Sequence, residues 1–126
     1  MNVLDYIKQE IFYLDGGSGS YLQEQGWLKP GELPEMLNLN HPEAIIAMHK
    51  AYYEAGSNAV CTNTFGANGL EFDGKDGRPS VEEVVTAAVK CAKKARDTAT
   101  LGQAHRFIAL DIGPLGRLLS PMGAIF

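Results

Sequence analysis

Asp15 stands directly before Gly16-Gly17-Ser18-Gly19-Ser20, which places a hydrogen-bond acceptor beside a run of small residues with bare backbone donors. Consecutive N–H groups in a glycine-rich turn form a concave nest that holds an anion. The two features together match a zwitterion, with an ammonium on Asp15 and a carboxylate on the N–H groups of Gly16 and Gly17. Two further clusters mix small and polar residues in the same way: Thr62-Asn63-Thr64-Phe65, and Asp111-Ile112-Gly113-Pro114. Recognition of a free amino acid is one chemistry open to such a set. The other reading is that turns favour Gly, Asp and Asn for conformational reasons alone.

Phosphate is a poor fit for the glycine-rich run. A dinucleotide pattern, G-x-G-x-x-G, begins at Gly17 and Gly19 but meets Leu22 where the third glycine belongs, and no Gly-Lys-Ser/Thr follows. The histidines, His41, His49 and His105, lack metal-ligand spacing, so capping, packing or surface roles are expected of them. Cys61 lies inside an apolar run and Cys91 inside an amphipathic one. Both read as packed thiols rather than nucleophiles or metal ligands. Trp27 and Phe65 fall in loops and are candidates for lining a pocket.

The elements that must position these clusters follow from the apolar pattern. Short apolar runs at 11–14, 58–62 and 107–110 each end at one of the three clusters, as strands buried on both faces in a parallel sheet would. Between them lie two helical patterns. In the first, Asn40 is the expected cap, with Glu43 three residues on, Pro42 in the first turn, Ile45, Met48, Tyr52 and Ala55 on one face, and Gly56 as the stop. In the second, Ser80 opens a capping box with Glu83, and Val81, Val84, Val85, Ala88, Ala92, Ala95 and Ala99 form an apolar stripe. A short opening helix near residues 2–9 and a turn or two around Tyr21–Gln25 are also expected, and the loop 71–78 reads as solvent-exposed. Strand–helix alternation of this kind indicates successive βαβ units, whose ligands bind at the C-terminal edge of the strands.

The chain has 126 residues, enough for one modest domain, and its 11 basic against 15 acidic residues give a net charge of −4. That balance argues against nucleic acid, which demands clustered Lys and Arg. No apolar run approaches the roughly 20 residues that span a bilayer, and residues 1–10 interleave charge with apolar side chains, unlike a signal peptide. A soluble, cytoplasmic chain without membrane partners is the expectation.

The motifs themselves bear a resemblance. Leu14-Asp15-Gly16-Gly17-Ser18-Gly19-Ser20, Gly31-Glu32-Leu33-Pro34-Glu35, Asn38-Leu39-Asn40-His41-Pro42-Glu43, Thr62-Asn63-Thr64-Phe65-Gly66-Ala67-Asn68 and Asp111-Ile112-Gly113-Pro114-Leu115-Gly116 occur in order. Together they resemble the homocysteine S-methyltransferase family, and within it the homocysteine-binding modules of cobalamin-dependent methionine synthases. The likeness runs from about residue 11 to residue 123. Ser20 replaces a common Thr, and Ser18 replaces what is often Met, Ala or an aromatic residue.

The resemblance implies a (β/α)₈ barrel that methylates the homocysteine thiol, which a zinc ion holds as thiolate. Carried over by position, Asp15 meets the substrate ammonium, Gly16 and Gly17 its carboxylate, and Thr64 and Phe65 wall the pocket. Such a barrel takes about 250 residues, so this α/β chain corresponds to its first three βα units. An incomplete barrel with an open sheet edge is expected across residues 1–126, with no second domain. The family's zinc ligands are cysteines on later strands that nothing here matches, and methylcobalamin would act through another module. The chain is therefore expected to be an N-terminal fragment, catalytically silent alone, that needs the rest of the barrel or a self-associating copy. The alternative is a non-catalytic module that binds an amino acid or docks on a partner.

Overall fold

The computed structural model describes residues 1–116. In chain order these form α1 (Val3–Ile7), α2 (Gly19–Glu24), a 3₁₀ turn (Pro34–Met36), α3 (Leu37–Asn40), α4 (Pro42–Ala55), β1 (Ala59–Cys61), α5 (Val81–Thr98) and β2 (Phe107–Ala109). β1 and β2 pair in parallel, Ala59 opposite Phe107 and Cys61 opposite Ala109, and the crossover between them carries α5. The helical alternation expected from the sequence is present. The family resemblance beyond residue 116 falls outside the described residues.

The first expected strand departs from a regular ladder. Residues 11–15 run beside β1 in the same sense, but side chains make several of the bonds that join them. The Tyr13 carbonyl accepts from the N–H groups of Asn58 and Ala59 at 2.7 and 3.2 Å. The Tyr13 N–H donates to Asn58 Oδ1 at 2.9 Å, and the Cys61 N–H donates to Asp15 Oδ2 at 3.0 Å. Asn58 and Asp15 thus stand in for backbone rungs at the two ends of the pairing. Spatially the order is segment 11–15, β1, β2.

Burial also differs from the two-sided covering expected. Ala59 and Val60 of β1 are buried and Cys61 half-buried, whereas Ile11 and Ile112 are 70% and 83% exposed, and Tyr13, Leu14 and Leu110 are exposed as well. α4 packs on β1 and α5 on β2, and α4 with α5 forms the most extensive helix pair. Nothing among the described residues covers the exposed apolar side chains beside them.

The helices follow the chemistry of their ends. Ser80 Oγ accepts from the Glu83 N–H at 3.2 Å, as a capping box requires. Val84, Ala88, Cys91, Ala92 and Ala95 form the buried stripe of α5. Gly56 stops α4 at φ +118°, a left-handed conformation that glycine adopts without a Cβ penalty. The start of α4 is a correction. Asn40 belongs to α3, and His41, with φ −142° and ψ 63°, occupies the cap without a side-chain bond to the helix backbone. Pro42 disfavours a helical residue before it, so the break falls one residue later than Asn40. The carboxylate of Glu43 meets His41 Nδ1 at 3.2 Å.

Two apolar clusters share these helices. Leu22, Leu28, Leu37, Ala44, Ile45, Met48 and Cys91 form one, and Tyr53, Val60, Ala92, Ala95 and Ala99 the other. The loop 71–78 is exposed, as expected, apart from Phe72, which is buried.

Candidate functional site

Four segments converge beyond the C-terminal ends of β1 and β2. Gly16, Gly17, Ser18 and Gly19 come from the exit of the first extended segment, Leu33, Pro34 and Glu35 from the first long connection, Asn63, Phe65 and Gly66 from the exit of β1, and Asp111 from the exit of β2. Together they line a cavity of about 470 Å³, within the range of small-ligand sites. In parallel α/β folds this is the edge at which ligands bind.

Hydrogen bonds among the exits hold them in register. The Asp111 N–H donates to Thr62 Oγ1 at 3.2 Å, Thr62 and Thr64 hydroxyls lie 2.7 Å apart, and Thr64 Oγ1 donates to the Asp111 carbonyl at 2.7 Å. The two hydroxyls therefore staple the end of β1 to the end of β2. Gly113 completes that contact, because a Cβ there would run into the Phe65 carbonyl oxygen. On the other side Asn63 Nδ2 donates to the Pro34 carbonyl and to Asn38 Oδ1, both at 2.9 Å, while Asn38 Nδ2 returns a bond to the Asn63 carbonyl at 2.9 Å. This buried amide pair ties the long first connection to the exit of β1.

The glycine run is open on its donor side. Among the described residues, the N–H groups of Gly16 and Gly17 have no acceptor, while the Gly17 carbonyl accepts from the Tyr52 hydroxyl at 2.5 Å. A Cβ on Gly16 would come within 3.1 Å of that hydroxyl. Tyr52 thus anchors the loop from behind.

Gly16, Gly17 and Phe65 line the cavity, and Phe65 is 59% exposed. Asp15 adjoins it, with Oδ2 engaged by the Cys61 N–H. Burial raises the Asp15 carboxyl above the ordinary aspartate value; the Cys61 N–H works against that rise, and Asp111 adds to it. A partly buried carboxylate of this kind gains from a cationic partner. Thr64 is buried behind the wall and acts through the hydroxyl staple. Trp27, expected near a pocket, packs instead on His41 with ring centroids 5.2 Å apart.

Sequence reasoning assigned no role to Glu35, Asn38 or Asn63. Glu35 is 4% exposed and its Oε1 accepts from the Gly66 N–H at 2.6 Å. Its position in the string that carries the family likeness was the available signal.

The zinc that the resemblance implies does not fit the described residues. Among them no three His, Cys, Asp or Glu side chains converge. Burial, followed by the charge of Asp15, pushes the Cys61 thiol up to about 11, and burial pushes Cys91 up to about 11. Zinc binds thiolate, and neither sulfur is poised to provide it. Cys91 is packed in the core, as expected, while Cys61 is only half-buried.

Among the described residues no helix is long and apolar enough to cross a membrane. The sequence profile of the homocysteine S-methyltransferase family matches residues 12–125. The chain is 27% identical to methionine synthase of Mycobacterium tuberculosis and 26% identical to that of Mycobacterium leprae, in each case over 97% of its own length. It spans 11% and 10% of those two proteins. The oxidized form of the homocysteine methyltransferase MmuM from Escherichia coli superposes with a TM-score of 0.71 at 26% identity, over 90% of this chain and 40% of that one. Its metallated form superposes with a TM-score of 0.70 at 21% identity, over 87% of this chain and 40% of the other. On its sequence profile, the chain belongs to the homocysteine S-methyltransferase family.

Proposed function

We propose that this chain supplies the amino-acid-binding wall of an enzyme that methylates the thiol of homocysteine to give methionine, and that it forms the first three βα units of a (β/α)₈ barrel. The observation that carries the reading is the cavity at the strand exits: Gly16, Gly17 and Phe65 line it, the N–H groups of the two glycines have no acceptor among the described residues, and Asp15, its carboxyl raised by burial, directly precedes them. The two backbone donors take the substrate carboxylate, and Asp15 takes its ammonium. Phe65 walls the aliphatic part. Thr64 holds Asp111 and the β2 exit in place.

The division of labour follows from the side chains present. This segment binds and orients the amino acid. A free thiol with a pKa of about 8.5 is mostly protonated at neutral pH, so its activation falls to groups outside these residues. Zinc ligands and any methylcobalamin module belong to other parts of the polypeptide or to a partner.

Calorimetric titration of the full-length protein with L-homocysteine, and separately with a nucleotide, tests the reading. Homocysteine should bind and the nucleotide should not. Asp15→Asn retains an acceptor for the Cys61 N–H while losing the charge, so it should fold normally and weaken homocysteine by roughly 10–100-fold, the range expected for a charge-assisted contact. Unchanged affinity in that variant, or tight nucleotide binding, overturns the proposal.

A further inference from the structure

Glu35 presents the least explained polar atom at the site. The residue is 4% exposed, on the 3₁₀ turn Pro34–Met36, and it lines the cavity together with the glycine loop. Its Oε1 is committed to the Gly66 N–H at 2.6 Å. Its Oε2 is buried and has no hydrogen-bond partner among the described residues. None of the ion pairs among the described residues includes Glu35. A buried carboxylate oxygen without a donor is costly, and ionic partners are the usual remedy.

The surroundings hold the carboxylate in place. The Pro34 carbonyl, one residue earlier, is bound by Asn63 Nδ2. Gly66 is the residue that permits the approach: a Cβ there would lie 2.8 Å from Glu35 Oε1. The side chain therefore has one oxygen fixed to the β1 exit and one buried without a partner, in a residue that lines the same cavity as Gly16 and Gly17, whose N–H groups have no acceptor among the described residues. Asp111, on the same wall system, adds a second acidic side chain. An occupant that satisfies both Glu35 and the glycine N–H groups carries a cationic donor and an anion.

We propose that Glu35 is a substrate-binding residue, its free oxygen accepting one N–H of the homocysteine ammonium while its other oxygen holds the Phe65–Gly66 turn. This rests on the amino-acid-binding reading above and extends it: two carboxylates, Asp15 and Glu35, share the ammonium, and the site selects α-amino acid thiols over thiols that lack the amine.

The test pairs a conservative variant with a truncated ligand. Glu35→Gln retains an oxygen for the Gly66 N–H but removes the charge. The full-length native protein and the variant are titrated with L-homocysteine and with 4-mercaptobutanoate, which lacks only the amine, and thermal unfolding verifies the fold. The expected result is a roughly 10–100-fold loss for homocysteine, with 4-mercaptobutanoate unchanged within about twofold. Equal affinity of native and variant for homocysteine overturns the proposal and leaves the amino-acid site standing. Equal loss for both ligands also overturns it, since Glu35 then only shapes the turn. Failure of the native protein to bind homocysteine removes the site itself. If Glu35→Gln does not fold, Glu35→Asp supplies the same comparison: it keeps the charge but withdraws it, and homocysteine alone should weaken.

Discussion

Asp15 combines two duties that pull on its carboxyl in opposite directions. Burial favours the neutral acid, and the Cys61 N–H favours the anion, with burial prevailing so that the group titrates above the ordinary aspartate value. The raised folded-state value means that Asp15 adds to stability at low pH and loses that contribution as pH rises through it. Ligand binding has the opposite sign, because only the ionised form attracts an ammonium. Homocysteine affinity should therefore decline as pH falls, starting above the range typical of an exposed aspartate; titrations from pH 7 to 4 should show the slope in the native protein and a flatter profile in Asp15→Asn. The run Asp15-Gly16-Gly17 was legible in sequence because its chemistry is local. Thr64 was legible as part of the site, while its means of action was not: the hydroxyl staple to Asp111 joins residues 47 positions apart. Glu35 and the Asn38–Asn63 pair escaped for the same reason, since their partners are set by how the first connection folds back over β1.

Helices α4 and α5 were readable from capping and spacing, and their pairing builds most of the core. What periodicity could not show was where a strand's ladder gives way to side chains. Residues 11–15 have the apolar run of a strand, yet Asn58 and Asp15 supply the bonds at its ends. His49 in α4 makes a prediction at this scale. It is fully buried, both ring nitrogens lack partners among the described residues, and burial lowers its pKa to about 4. The unfolded chain binds a proton near the ordinary value of 6.5, so stability is complete above that pH and is lost as pH falls towards 4. The loss amounts to about 3 kcal/mol over that interval. His49→Leu removes two unpaired polar atoms and the titration together. Chemical denaturation of the variant should show stability at pH 7 equal to or above native, and a shallower fall between pH 6.5 and 4.5. An undiminished pH slope would assign the sensitivity elsewhere.

At the scale of the whole molecule, the exposed apolar residues are the dominant fact. Ile11, Tyr13 and Leu14 lie on one side of β1, and Leu110 and Ile112 continue from β2, all exposed. Unpaired strand edges and exposed apolar surface favour association. A polypeptide of these 126 residues alone should sediment with a concentration-dependent mass and bind a hydrophobic dye, and polypeptide that completes the proposed barrel should suppress both. A well-behaved monomer that binds no dye would contradict that reading. The likeness to the family was visible in the order of motifs, and the sequence profile bears it out over residues 12–125.

Everything proposed for the site turns on which atoms of the ligand meet which residues. The most direct measurement is a crystal structure of the full-length protein with L-homocysteine bound. The account predicts the ligand carboxylate on the N–H groups of Gly16 and Gly17, the ammonium against Asp15, and the side chain along Phe65. A ligand seated away from the glycine loop, or one whose carboxylate leaves both of those donors untouched, would contradict it.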